Sequence, residues 1–119
     1  MKFYYEGKLL RTSKTHFYTH ALLTETGKLV GCSSCREGCE KLRRTLMADY
    51  YDEIHNEEET IKAIAAGRSW VYIKLGRREY REKITPADTI EGCREHIEKC
   101  RKELERRLSW PIVELTAVE

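Results

Sequence analysis

The chain has 119 residues, enough for one domain with a modest core and too few for two independent ones. Charged residues make up 35% of it with the signs closely mixed, and the formal net charge is only +2. That balance argues against a strongly basic nucleic-acid binder and against an acidic DNA mimic. No apolar run approaches the roughly 18 residues that span a bilayer, and Met1–Gly7 lacks the apolar core of a signal peptide, so a cytoplasmic location is expected.

The first third reads as a β-meander. Lys2–Glu6 and Lys8–Thr12 are short aromatic or aliphatic runs joined across Gly7, which supplies a positive φ. His16–Leu23 is rich in strand formers and ends at the turn signal Thr24-Glu25-Thr26-Gly27; Lys28–Cys32 follows as a fourth strand. Ser34-x-x-Glu37 is a capping box that opens a helix, with Cys35, Cys39, Leu42, Leu46, Tyr50 and Ile54 recurring along one face. Asn56-x-x-Glu59 reads as a second cap. It predicts a break near His55-Asn56 and a shorter helix over Glu57–Ala66, with Ile61, Ile64 and Ala65 inward and Gly67 as its stop.

Ser69–Leu75 alternates as a strand, with Trp70, Tyr72 and Lys74 on one face and Val71, Ile73 and Leu75 on the other. Gly76 turns the chain into a partner strand over Arg77–Lys83. Thr85-Pro86-Ala87-Asp88 reads as the start of a second helix, whose stripe is Ile90, Cys93, Ile97, Cys100, Leu104 and Leu108. Trp110-Pro111 ends it, and Ile112–Val118 closes the chain as a last strand. The expected order is ββββ-α(α)-ββ-α-β, an α+β domain with a mostly antiparallel sheet and two main helices on one face.

All five cysteines fall in two windows, Cys32-Ser33-Ser34-Cys35-Arg36-Glu37-Gly38-Cys39 and Cys93-Arg94-Glu95-His96-Ile97-Glu98-Lys99-Cys100. An odd number in a reducing compartment disfavours a disulfide framework and leaves metal ligation or buried thiols. Four of the five lie on helical stripes, where cysteine serves as a small hydrophobe. Cys32 does not, and Cys32-x2-Cys35 spans a strand-to-helix turn as zinc knuckles do. Cys93 and Cys100 are two turns apart, about 10 Å along the axis, too far to share one tetrahedral ion. Any site with two ligands from this helix therefore includes His96, and Cys100 at i+4 is its better partner. The expected shell is Cys32, Cys35, His96 and Cys100, with Cys39 as substitute, holding a structural Zn2+.

Asp52, Glu53, Glu57, Glu58 and Glu59 form the one single-sign cluster, a candidate surface for a protein partner. Arg43-Arg44, Arg77-Arg78 and Arg106-Arg107 with interleaved aromatics give the alternative of a nucleic-acid-binding zinc module, against which the neighbouring glutamates and the near-neutral charge weigh. There is no Walker loop, no G-x-G-x-x-G, no H-E-x-x-H and no deaminase signature, so no enzyme is expected.

The opening KFYYEGKLLRTSKTHFYTHALLTETGKLVGCSS, the segment RSWVYIKLGRREYREKITPADTIEGC and the closing WPIVELTAVE resemble small orphan proteins of phages and mobile elements of Gram-positive bacteria. Proteins of this kind include the anti-CRISPR inhibitors of Cas9, among them a zinc-containing α/β protein. The resemblance implies a bacterial host cytoplasm and a stoichiometric, non-enzymatic binder of Cas9 that blocks target-DNA engagement. The near-neutral charge departs from the acidic mimic type and directs the expectation to a recognition lobe.

Overall fold

A computed structural model describes all 119 residues, Met1–Glu119. The elements run β1 (Lys2–Tyr5), β2 (Lys8–Thr12), β3 (His20–Leu23), β4 (Leu29–Ser33), α1 (Arg36–Ala65), β5 (Trp70–Leu75), β6 (Arg78–Lys83), α2 (Ile90–Leu108), β7 (Ile112–Glu114) and β8 (Thr116–Val118). The α+β class and the order of strands and helices are those expected. The chain divides into two compact units, Met1–Leu46 with Arg106–Glu119, and Met47–Glu105.

The first unit holds two three-stranded antiparallel sheets, in the orders β2-β1-β8 and β4-β3-β7. The β1–β2 turn has positive φ at both Glu6 and Gly7, the twist-matched conformation of a two-residue hairpin. The last strand was expected to be continuous, but it breaks at Leu115. Its amide donates to the Thr19 carbonyl, and the chain then passes from pairing with β3 to pairing with β1. The third strand begins at His20 rather than His16. Ser13 Oγ accepts the amides of both Thr15 and His16, which holds that stretch in a turn, and the His16 ring stacks on Tyr18. Leu22, Cys39 and Trp110 form the core, with Val30, Leu42, Leu46 and Ile112 packed on it. The Trp110 indole nitrogen donates to Glu25 at 2.6 Å, and Arg43 donates to the Trp110 carbonyl, so both the ring and the backbone of this residue are held.

The second unit holds the rest of α1, the β5–β6 hairpin and most of α2. The strands therefore form three sheets rather than one: β5 and β6 pair only with each other, and β6 is exposed along its whole length, with Arg78, Arg81 and Lys83 guarding that edge. The expected break at His55-Asn56 does not occur, and α1 is continuous over 30 residues. No Gly or Pro interrupts residues 39–66, and the Asn56 carbonyl accepts the Thr60 hydroxyl within the helix. The Asn56 side chain leaves its own helix, donating to the Lys74 carbonyl at 2.7 Å and accepting the Lys74 amide at 2.6 Å. Gly67, at φ 69°, ends α1: its amide bonds Ile64 and the Arg68 amide bonds Ala63, a Schellman closure. Ala63, rather than Ala65, is the buried alanine of that last turn.

Both helix starts also shift. Cys35 precedes α1 and is exposed, and its amide donates to Ser33 Oγ rather than Ser34 taking the capping role. Thr85 does not cap α2, since Asp88 folds back to accept the Thr85 amide and closes a separate turn. Thr89 is the cap, accepting the Gly92 amide at 3.0 Å, and α2 begins at Ile90. Cys93, Ile97, Cys100 and Leu104 are its buried stripe.

Candidate metal centre

The two cysteine windows lie in different units. Cys32, Cys35 and Cys39 belong to the first, and Cys93, His96 and Cys100 belong to the second. In the first, Cys39 is fully buried; burial foremost, then Cys32 and Cys35, push its thiol pKa up. The Cys32 thiol is likewise raised by burial, with Arg11 opposing. The pair expected from α2 does meet: His96 Nε2 lies 3.5 Å from Cys100 Sγ, as i, i+4 neighbours on a helix should.

The donor that completes this group is Glu53 of α1. Its Oε2 lies 3.5 Å from Cys100 Sγ and 3.9 Å from His96 Nε2. These three form the group of His, Cys, Asp or Glu donors whose ligand atoms all lie within 4.8 Å of one another. One turn further on α1, Glu57 lies by Cys93 and, after burial, helps to raise its thiol pKa. Carboxylates at i and i+4 on α1 therefore oppose cysteines and a histidine at i, i+3 and i+7 on α2. Glu53, Glu57, Asp88, Cys93 and His96 are among the residues lining a cavity of about 280 Å³ beside the cluster.

The distances fit coordination chemistry. Zinc bonds of about 2.0–2.3 Å to oxygen, nitrogen and sulfur place ligands of a tetrahedron about 3.3–3.8 Å from each other. The observed edges of 3.5, 3.5 and 3.9 Å match that triangle with little adjustment. A carboxylate and a thiolate also supply two negative charges to a dication, and sulfur with imidazole favours zinc over magnesium or calcium.

Without an ion the same geometry makes poor nucleophilic chemistry. Burial foremost, then the Glu53 hydrogen bond and the charges of Glu53 and Glu57, push the Cys100 thiol up to about 11. Burial, Glu57 and Asp88 push Cys93 up to about 12. Both thiols are therefore protonated at neutral pH, when the thiolate is the nucleophile. Glu53 also approaches the same nitrogen of His96 that faces Cys100, whereas a relay needs the orienting carboxylate on the other nitrogen. A metal ion reverses this logic, since binding displaces the thiol proton.

The acidic run does not form one free surface. Glu53 belongs to the cluster, and Glu57 faces Cys93. Asp52 accepts the Gly76 amide at 3.2 Å, Glu58 lies 3.8 Å from Arg101 and Glu59 lies 3.2 Å from Lys62. Sequence reading missed Glu53 as a member of this cluster because it counted the run as charge rather than as helix faces. The signal was present: Glu53 and Glu57 share a face at the spacing that an opposing stripe of Cys93, His96 and Cys100 can meet. No helix is long and apolar enough to cross a membrane. Comparison of the chain with protein-family models, with curated proteins and with solved structures gives no match.

Proposed function

We propose that this chain is a non-catalytic interaction module whose second unit is stapled by a zinc ion on Glu53, His96 and Cys100, three donors that leave the fourth position to solvent. The observation that carries this reading is the 3.5, 3.5 and 3.9 Å triangle of unlike donors contributed by two helices. A zinc ion joining α1 to α2 adds its binding energy to folding, which is a holding role. The test is zinc content of protein purified without tag or chelator, with melting curves before and after chelation. About one zinc per chain and a lower melting temperature on removal are expected. Protein that takes up no zinc and melts unchanged with chelator refutes the staple.

The resemblance to phage orphan proteins makes Cas9, at its recognition lobe, the partner of this proposal. On α1, Tyr51 and His55 are exposed at i and i+4, an aromatic pair on one stripe suited to a protein surface, with Glu58 beside it already paired to Arg101. A stable one-to-one complex with Cas9 and loss of target cleavage are expected. Undiminished cleavage at large molar excess refutes this partner while leaving the zinc question to its own assay.

The alternative of a nucleic-acid-binding zinc module draws support from one place. In the first unit Arg43 and Arg107 are spent on the carbonyls of Trp110 and Leu46, and Arg106 pairs with Glu25. In the second unit Arg77, Arg78 and Arg81 stand exposed on the β5–β6 hairpin.

A further inference from the structure

The register of the hairpin sorts its side chains into two unlike faces. Residues paired across antiparallel strands share a face, so Trp70, Tyr72 and Lys74 stand with Lys83, Arg81 and Glu79. The opposite face carries Val71, which is buried, and the half-buried Ile73. All six residues of the first face are exposed, Trp70 at 42% and Tyr72 at 67%. Exposing two large rings beside three cations is costly to solubility unless something covers them.

We propose that this face binds single-stranded nucleic acid, with bases stacked on Trp70 and Tyr72 and the phosphates tracked by Lys74, Arg81 and Lys83. The two rings are alternate residues of one strand and so stand about 7 Å apart, a spacing at which successive bases of an extended strand each meet a ring. Charge complementarity selects the ligand: on this face Lys74, Arg81 and Lys83 stand against one carboxylate, Glu79, while Arg68 and Glu59 both line its margin beside the rings. The Arg81 guanidinium lies 4.4 Å from the Trp70 ring centroid. An exposed cation–π pair of this kind is worth less than a base stacked on the same ring. A base therefore displaces Arg81 from the ring, and the freed guanidinium turns to the adjoining phosphate. Beside the rings an open depression of about 530 Å³, to which Arg68 also contributes, gives a nucleotide room to settle. A two-stranded platform has only two rings, so the face suits a short run of bases with little sequence preference.

The test is titration of the full chain, as purified, with an oligothymidylate of about ten residues at about 50 mM salt, following tryptophan emission. Trp110 is buried, so a saturable quench reports Trp70. Expected are loss of roughly tenfold in affinity for Tyr72→Ala and for Arg81→Gln, and affinity that falls as salt rises. Both side chains are exposed, and far-UV circular dichroism verifies each variant's fold; if one variant misfolds, the other decides. A flat titration overturns the proposal, as does unchanged affinity in a folded variant, which moves binding elsewhere on the chain. Binding to phosphatidylserine vesicles without binding to the oligonucleotide overturns it too and assigns the face to an anionic membrane. None of these side chains is a donor of the zinc cluster, so the result is independent of the staple.

Discussion

Cys100 donates its thiol proton to Glu53 across 3.5 Å, joining α2 to α1 through a hydrogen bond that exists only while the sulfur is protonated. The folded thiol pKa of about 11 stands above the ordinary value of 9.0, and that of Cys93 is about 12. The unfolded chain therefore loses these protons first as pH rises, and stability contributed by the pair is full below pH 9 and lost as pH climbs through the folded values. Urea-unfolding midpoints of the metal-free protein should fall steadily from about pH 9 towards about pH 11, a window set by these two thiols. The double substitution Cys93→Ala, Cys100→Ala should flatten that decline; an equal slope in the double variant places its cause elsewhere.

Two ligand sets give opposite mutational results. If zinc sits on Glu53, His96 and Cys100, then His96→Ala and Cys100→Ala lower zinc affinity by well over tenfold, and Glu53→Gln by about ten- to a hundredfold. Cys32→Ala and Cys35→Ala then leave zinc content unchanged. Zinc lost from the Cys32 and Cys35 variants would instead support the shell read from sequence spacing. Binding should also strengthen as pH rises from 7 to 8.5, about tenfold per unit for the one thiol proton released.

Asn56 spends both ends of its amide on the backbone of Lys74. Asn56→Ala leaves an amide and a carbonyl of β5 without that partner, at a cost of about 1–3 kcal/mol in total. Amide exchange of β5 should accelerate while that of α2 changes little. Uniform acceleration across the unit would show that the hairpin and helices open together. Asn56→Asp keeps the acceptor for the Lys74 amide but loses the donor, and should fall between.

Gly38 shows a local rule overridden. Alanine in a helix interior is favoured over glycine by about 1 kcal/mol. A Cβ at Gly38, however, would lie 1.8 Å from Ser33 Oγ and 2.7 Å from Ser33 Cβ. The hydroxyl can rotate, but Ser33 Cβ is fixed by the backbone of β4, so Gly38→Ala should destabilise by about 1–3 kcal/mol. A second substitution, Ser33→Gly, should recover part of that loss. Thermal melts of the three variants settle the sign.

Periodicity and turn chemistry made much of this protein legible. Gly7 and Gly67 mark a hairpin and a helix end because positive φ disfavours other residues. The stripe of Cys93, Ile97, Cys100 and Leu104 follows from helical spacing, and so does the meeting of His96 with Cys100. What lay beyond the sequence were choices among equivalent local partners. Asn56 is as good a cap as it is a clasp for β5, and Thr85 and Thr89 both have hydroxyls at the mouth of α2. Leu115 has no side-chain signal for leaving one sheet and joining another. Glu53 reads as one charge in a solvated run until α2 sets Cys100 against it. Local patterns specify elements because their energies depend on neighbours along the chain, whereas a cluster or a strand switch depends on which distant groups remain unsatisfied, and only the tertiary structure decides that.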